Sequence, residues 1–142
     1  MSLACCLARR LARLLVPLCA VLAGAPAAAA TAVIVHPKSA VASIMTVQAA
    51  QIFLGRSTQL TPVDLADNSA IRSDFYQKIA GKDQDQVKAI WSKIVFTGRG
   101  FPPREYTSTA EVKRAVAADV GAIGYIDKAA VDDTVRVILI VQ

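Results

Sequence analysis

The run Thr134 to Val141 (TVRVILIV) limits the possible folds more than any other stretch, because every position except Arg136 is β-branched or leucine. Such a run favours extended backbone, and its apolar residues fall on both sides of the pleat. A strand of this kind needs cover on both faces and is too apolar for an exposed sheet edge. Other short strand-like runs occur earlier, at Ala32 to His36 (AVIVH, closed by Pro37), Gln59 to Leu65 (weakened at Pro62) and Gly121 to Ile126 (GAIGYI).

Helical patterns separate these runs. Thr46 caps the first, with Val47, Ala50, Ile52, Phe53 and Leu54 crowding one face and Gly55 as the left-handed stop. Ile71, Phe75 and Ile79 draw one stripe between Ser69 and Gly81. Asp83 caps a third helix with Val87, Ile90, Trp91, Ile94 and Val95 inward, ended by Gly98 and kept from resuming by Pro102 and Pro103. A loop follows, and Ser108 with Glu111 forms a capping box for a helix through Ala118. Short strands with interspersed helices argue for a three-layer α/β/α domain.

Residues 1–30 stand apart. They carry Arg9, Arg10 and Arg13, no acid, and an apolar run from Leu14 to Ala25 closed by Pro26 and the alanines 27–30. That is the layout of a secretory signal peptide, and the apolar run is too short to span a bilayer. Cleavage is expected near Ala30, leaving residues 31–142 as one exported α/β domain in the periplasm with no membrane span. Leu18 before Cys19 argues against a lipoprotein. The surroundings of Arg9-Arg10 argue against twin-arginine export.

Cys5, Cys6 and Cys19 all fall inside the leader, so the remaining chain can form no disulfide and must rely on its core. The leader also accounts for much of the basic pI of 9.4, since beyond it thirteen cations face eleven acids. With no basic stripe, nucleic-acid binding has no foundation.

Catalytic patterns are missing as well. His36 is the single histidine and has no clustered Cys, Asp or Glu at metal-ligand spacing. There is no nucleophile elbow, phosphate-cradling glycine loop or dinucleotide fingerprint. The sequence therefore points away from an enzyme, a metal site or a cofactor, and Asp132-Asp133 reads as a solvated turn.

The strand-to-helix turn Ala66-Asp67-Asn68-Ser69 is more informative. A helix N-terminus there offers free amide protons and the positive end of its dipole, a setting that holds oxyanions. Asp67 could accept a proton from a protonated anion, Ser69 could add a hydroxyl, and Arg72 a charge-assisted hydrogen bond. The plainer reading makes Ser69 an N-cap, Asp67 a dipole partner and Arg72 a solvated side chain. An arginine in a first turn is unfavourable by up to about 1 kcal/mol, which argues for an anion or acidic partner nearby. Replacing Arg72 is expected to remove binding and leave the fold intact. The loop containing Thr97, Gly98 and Arg99 is a secondary candidate for an anion or protein partner, with a helix-ending loop as its plainer reading.

Two segments resemble a known family. Ile52-Phe53-Leu54-Gly55-Arg56 resembles the Ile-Phe-x-Gly-Lys segment of the periplasmic phosphate-binding proteins of ABC transporters, and Gly121-Ala122-Ile123-Gly124-Tyr125 matches their Gly-Ala-Ile-Gly-Tyr. Between them the family's phosphate loop, Arg-x-Asp-Gly-Ser-Gly-Thr, falls without gaps on Leu65 to Ile71. Asp67 and Ser69 match it; Leu65, Asn68, Ala70 and Ile71 depart from it. The resemblance implies a single lobe of a periplasmic-binding-protein-like fold. It also implies a substrate-binding-like role toward phosphate or a related oxyanion, weak at most, with an ABC transporter or another periplasmic protein as partner. The alternative is a non-transport periplasmic interaction module that kept the lobe and lost the ligand.

Overall fold

The computed structural model describes residues 30–142, so the cleavage site and the leader lie outside the described residues apart from Ala30. The chain runs β1 (Thr31–Val35), α1 (Thr46–Phe53), β2 (Thr61–Leu65), α2 (Ala70–Ala80), α3 (Gln84–Phe96), β3 (Arg104–Tyr106), α4 (Thr109–Ala118), β4 (Ala122–Asp127), a 3-10 turn (Lys128–Ala130) and β5 (Arg136–Val141). The strands form one mixed sheet in the order β3-β2-β4-β1-β5. β1 is antiparallel to β4 and β5, and β2 is parallel to β3 and β4.

Side-chain alternation divides the sheet into two faces. A methyl added to Gly124 would sit 2.8 Å from Val112, 3.0 Å from Val116 and 3.0 Å from Val63, so α4 lies directly on that face. On the opposite face Tyr125 stacks on Phe75 of α2, with ring centres 3.9 Å apart, and meets Phe53 of α1 edge-on. Trp91 of α3 belongs to this second layer, its indole N–H donating to the Phe53 carbonyl at 3.1 Å. The result is helices, sheet and helix, the expected three-layer α/β arrangement.

Helix ends follow local chemistry. Ser69, Asp83 and Ser108 each accept from a backbone N–H in the first turn, and Gly81 ends α2 at φ +62°. The first helix differs from expectation: Met45 is its cap residue and Thr46 its first helical one, because the Gln48 side chain reaches back to the Met45 N–H at 2.8 Å. Ala49, Ile52 and Phe53 are its buried face, and Val47 is exposed.

Two strands also depart from expectation. β3 forms in the stretch read as a loop, where Pro102 and Pro103 extend the backbone and three residues suffice to pair with Val63, Asp64 and Leu65. β5 lies at the edge of the sheet. Only Ile138 and Val141 are buried there, Val137, Leu139 and Ile140 being half-buried, and the segment after β1 runs alongside the strand. Ile44 donates to the Ile138 carbonyl at 3.3 Å, and Arg136 reaches the carbonyls of Pro37, Ser39 and Val41. The edge is masked by the chain itself.

The Asp132 turn is tied down too. Its carboxylate accepts from Lys113 at 2.7 Å and from the Thr134 N–H at 3.0 Å, and these contacts, Lys113 foremost, hold its pKa down to about 2. Carboxyl resonances followed during acid titration should place the Asp132 midpoint there. Lys113→Met should move it back toward the ordinary carboxylate range.

Candidate functional site

The site begins with a charged residue in a strand interior. Asp64 of β2 is 1% exposed, yet all its oxygens have donors. The Tyr76 hydroxyl donates to Oδ2 at 2.6 Å, and Oδ1 receives the Tyr125 hydroxyl and the Leu65 N–H, the latter at 2.8 Å. Burial raises the Asp64 pKa, while Arg72, the two tyrosines and the Leu65 amide pull it back. Burial, then the Asp64 charge, pushes both phenols far above their ordinary values, so they serve as neutral donors.

Arg72 closes over this cluster from the first turn of α2. It is only 5% exposed, and its Nη1 donates to the Leu65 carbonyl at 2.9 Å, Asp67 Oδ1 at 2.7 Å and Glu105 Oε1 at 3.0 Å. Its Nε lies 3.6 Å from Asp64 Oδ2 and has no hydrogen-bond partner among the described residues. Desolvation works against the guanidinium charge, but Asp64 and Glu105 outweigh it and the net shift is upward. Glu105 arrives because β3 pairs it in register with Asp64, and in a parallel pair such residues share a face.

Asp67, Ser69 and Arg72 are therefore brought together as the sequence suggests, but not as an open anion trap. Ser69 accepts from the Arg72 N–H at 3.3 Å as the N-cap, and half-exposed Asp67 grips Arg72 and has Lys88 Nζ at 3.9 Å. The acidic partner implied by an arginine in a first turn is the chain's own Asp64, Asp67 and Glu105. Arg72 is neither a solvated side chain nor a removable one: its loss would strand a buried carboxylate.

A cavity of about 460 Å³ opens above Asp67, Arg72 and Glu105, walled by Trp91, Phe96 and the two prolines, with Lys88 at its side. The secondary candidates do not join it. The Thr97 hydroxyl donates to the Lys93 and Ile94 carbonyls, Gly98 turns the chain at φ +69°, and the Gly98 and Arg99 amides return to Val95 and Ile94. That loop caps α3, and Arg99 lines a separate cavity that also contains Gly55 and Phe101.

Asp64, Glu105, Tyr76 and Tyr125 were missed by sequence reasoning. A carboxylate inside an apolar strand run (TPVDL) was the available signal for Asp64, since an interior acid requires donors.

The geometry defines an α/β lobe with an ion cluster at the C-terminal end of β2. No family model matches the chain, and no curated protein does. Solved structures do resemble it. A protein assigned as a phosphate ABC transporter substrate-binding protein from Clostridium perfringens, solved with bound phosphate, superposes with TM-score 0.63 at 22% identity over 78% of this chain and 45% of its own. An ABC-type phosphate transport receptor from Vibrio cholerae gives 0.62 at 20% identity, covering 78% and 46%, and PstS from Borrelia burgdorferi gives 0.57 at 15%, covering 78% and 47%. The likeness shows the fold: this chain is built like one part of a phosphate-transport binding protein and spans less than half the length of these neighbours. None of the described helices is long and apolar enough to cross a membrane.

Proposed function

We propose that the chain is an exported periplasmic lobe of the phosphate-transport substrate-binding type, acting by binding and not by catalysis, in company with an ABC transporter or another periplasmic protein. Its Asp67–Arg72 turn takes phosphate or a similar oxyanion at low affinity. The observation that carries this reading is Arg72 Nη1, held at the N-terminus of α2 with two oxyanion oxygens, from Asp67 and Glu105, already on it. Those carboxylate oxygens stand in for the oxygens of a ligand.

They also explain the low affinity. Phosphate must displace tethered carboxylates, and three acids (Asp64, Asp67, Glu105) face two cations (Arg72, Lys88) around the cavity. Glu105→Gln removes one competitor and one negative charge. A hydrogen bond to a charged group is worth about 1.5–3 kcal/mol, so the variant should bind phosphate roughly ten-fold more tightly or better. Amide shifts of residues 67–72 during a phosphate titration measure this. If those amides stay still at about 10 mM phosphate in both proteins, well above a millimolar constant, the interaction-module reading replaces this one.

A further inference from the structure

We propose that the C-terminal end of α3 and the loop after it form the face on which a second copy of this chain docks, closing the Arg72 cavity. Phe96 is 92% exposed, Phe101 86% and Val95 43%, on a domain whose other phenylalanines, Phe53 and Phe75, are fully buried. Phe96 borders the Arg72 cavity and Phe101 the neighbouring one, and Trp91, Pro102 and Pro103 line both, so the apolar surface is continuous. Large exposed apolar patches rimmed by polar groups mark association surfaces.

Area and charge select the second copy as occupant. An aromatic side chain brings about 150–250 Å². Two copies related by a two-fold axis would bury four phenylalanines, or roughly 600–1,000 Å². With Val95 and the prolines added, this approaches the approximately 1,200–2,000 Å² of stable interfaces. A two-fold contact also requires one patch to complement itself. This patch does, because β3 separates two rims of opposite sign. Around the Arg72 cavity, exposed Asp67 and Glu105 outnumber exposed Lys88, while around the other exposed Arg99 and Arg104 outnumber exposed Asp119, so the two rims differ in net sign. Rotation about an axis near Pro102 and Pro103 sets the basic rim of each copy toward the acidic rim of its partner.

The contact does not depend on phosphate binding. Sedimentation equilibrium of the protein purified after expression of the full chain, from about 1 to 200 µM, should show a monomer–dimer equilibrium with a micromolar constant. Phe96→Ser combined with Phe101→Ser should leave only monomer with unchanged circular dichroism, and its Tm should match that of the unmodified protein in dilute solution, because both side chains are exposed in the monomer, while only the unmodified protein gains Tm as it is concentrated. Amide exchange at residues 95–103 should slow as the unmodified protein is concentrated. A wild-type monomer at the highest concentration overturns the proposal. So does a dimer that survives both substitutions, or a monomer that instead pairs one-to-one with a different purified periplasmic protein through this loop.

Discussion

Asp64→Ala should cost the fold about 3–5 kcal/mol, a large part of the total margin of a small domain. The substitution removes the acceptor for the Tyr76 and Tyr125 hydroxyls and the Leu65 N–H, and leaves the buried side of Arg72 without its counter-charge. Orphaned buried donors carry their own desolvation penalty. Urea unfolding should show the loss as a lower midpoint at unchanged slope; a change under about 1 kcal/mol would mean that the network is not formed. The pH dependence has a definite sign. Burial raises the Asp64 pKa in the fold, so the folded state holds that proton more tightly than the unfolded chain does. The stability contributed by this protonation is fully present below the unfolded value of about 4 and fades as pH rises through the raised folded value. The advantage of the native protein over Asp64→Asn, which cannot titrate, should therefore widen as pH falls toward 4.

Much of the fold was legible because its signals are local. Ser69 with Gly81, and Asp83 with the Gly98 break, bound α2 and α3 closely, since caps and left-handed stops depend on neighbouring residues. The strand pairings are not local. Nothing within Arg104-Glu105-Tyr106 marks a strand; it is one because β2 offers an open parallel edge. The apolarity of β5 signalled a need for cover, but sequence could not reveal that the strand lies at the sheet's edge with residues 37–44 alongside it.

The site was half legible for the same reason. Asp67, Ser69 and Arg72 share one turn, so their meeting follows from chain connectivity. Glu105 reaches that turn, and Tyr125 the neighbouring Asp64, through strand registers 33 and more residues away, and only those registers turn an apparent anion trap into an ion cluster in which Arg72 already has carboxylate partners. The family-like segments carried structural information. Gly124 is where α4 rests on the sheet, and Gly55 adopts φ +72° under Trp91. A resemblance built on such glycines indicates how the lobe packs; whether Arg72 is free to take a ligand depends on the carboxylates around it.

Trp91→Ala should be comparably damaging, at about 3–5 kcal/mol, for a different physical reason. Trp91 is the chain's single tryptophan, 8% exposed, and its ring reaches from α3 to the C-terminal end of α1. The fit is tight: a methyl added to Gly55 would lie 2.8 Å from the indole and 2.7 Å from Ile94. Its N–H is also the partner of the Phe53 carbonyl. Truncation opens a void between the two surface cavities, both of which it lines, and leaves that carbonyl without its donor. Trp91→Phe separates the contributions, because it keeps most of the apolar contact and loses the hydrogen bond, at a cost nearer 1 kcal/mol plus a smaller packing term. Since both variants lack the native fluorophore, far-ultraviolet circular dichroism in urea is the suitable probe. A loss below about 1 kcal/mol for the alanine variant would mean that α3 does not pack on α1 through this ring. The cavity wall that Trp91 shares with Phe96 and the two prolines would then have no rigid support beneath it.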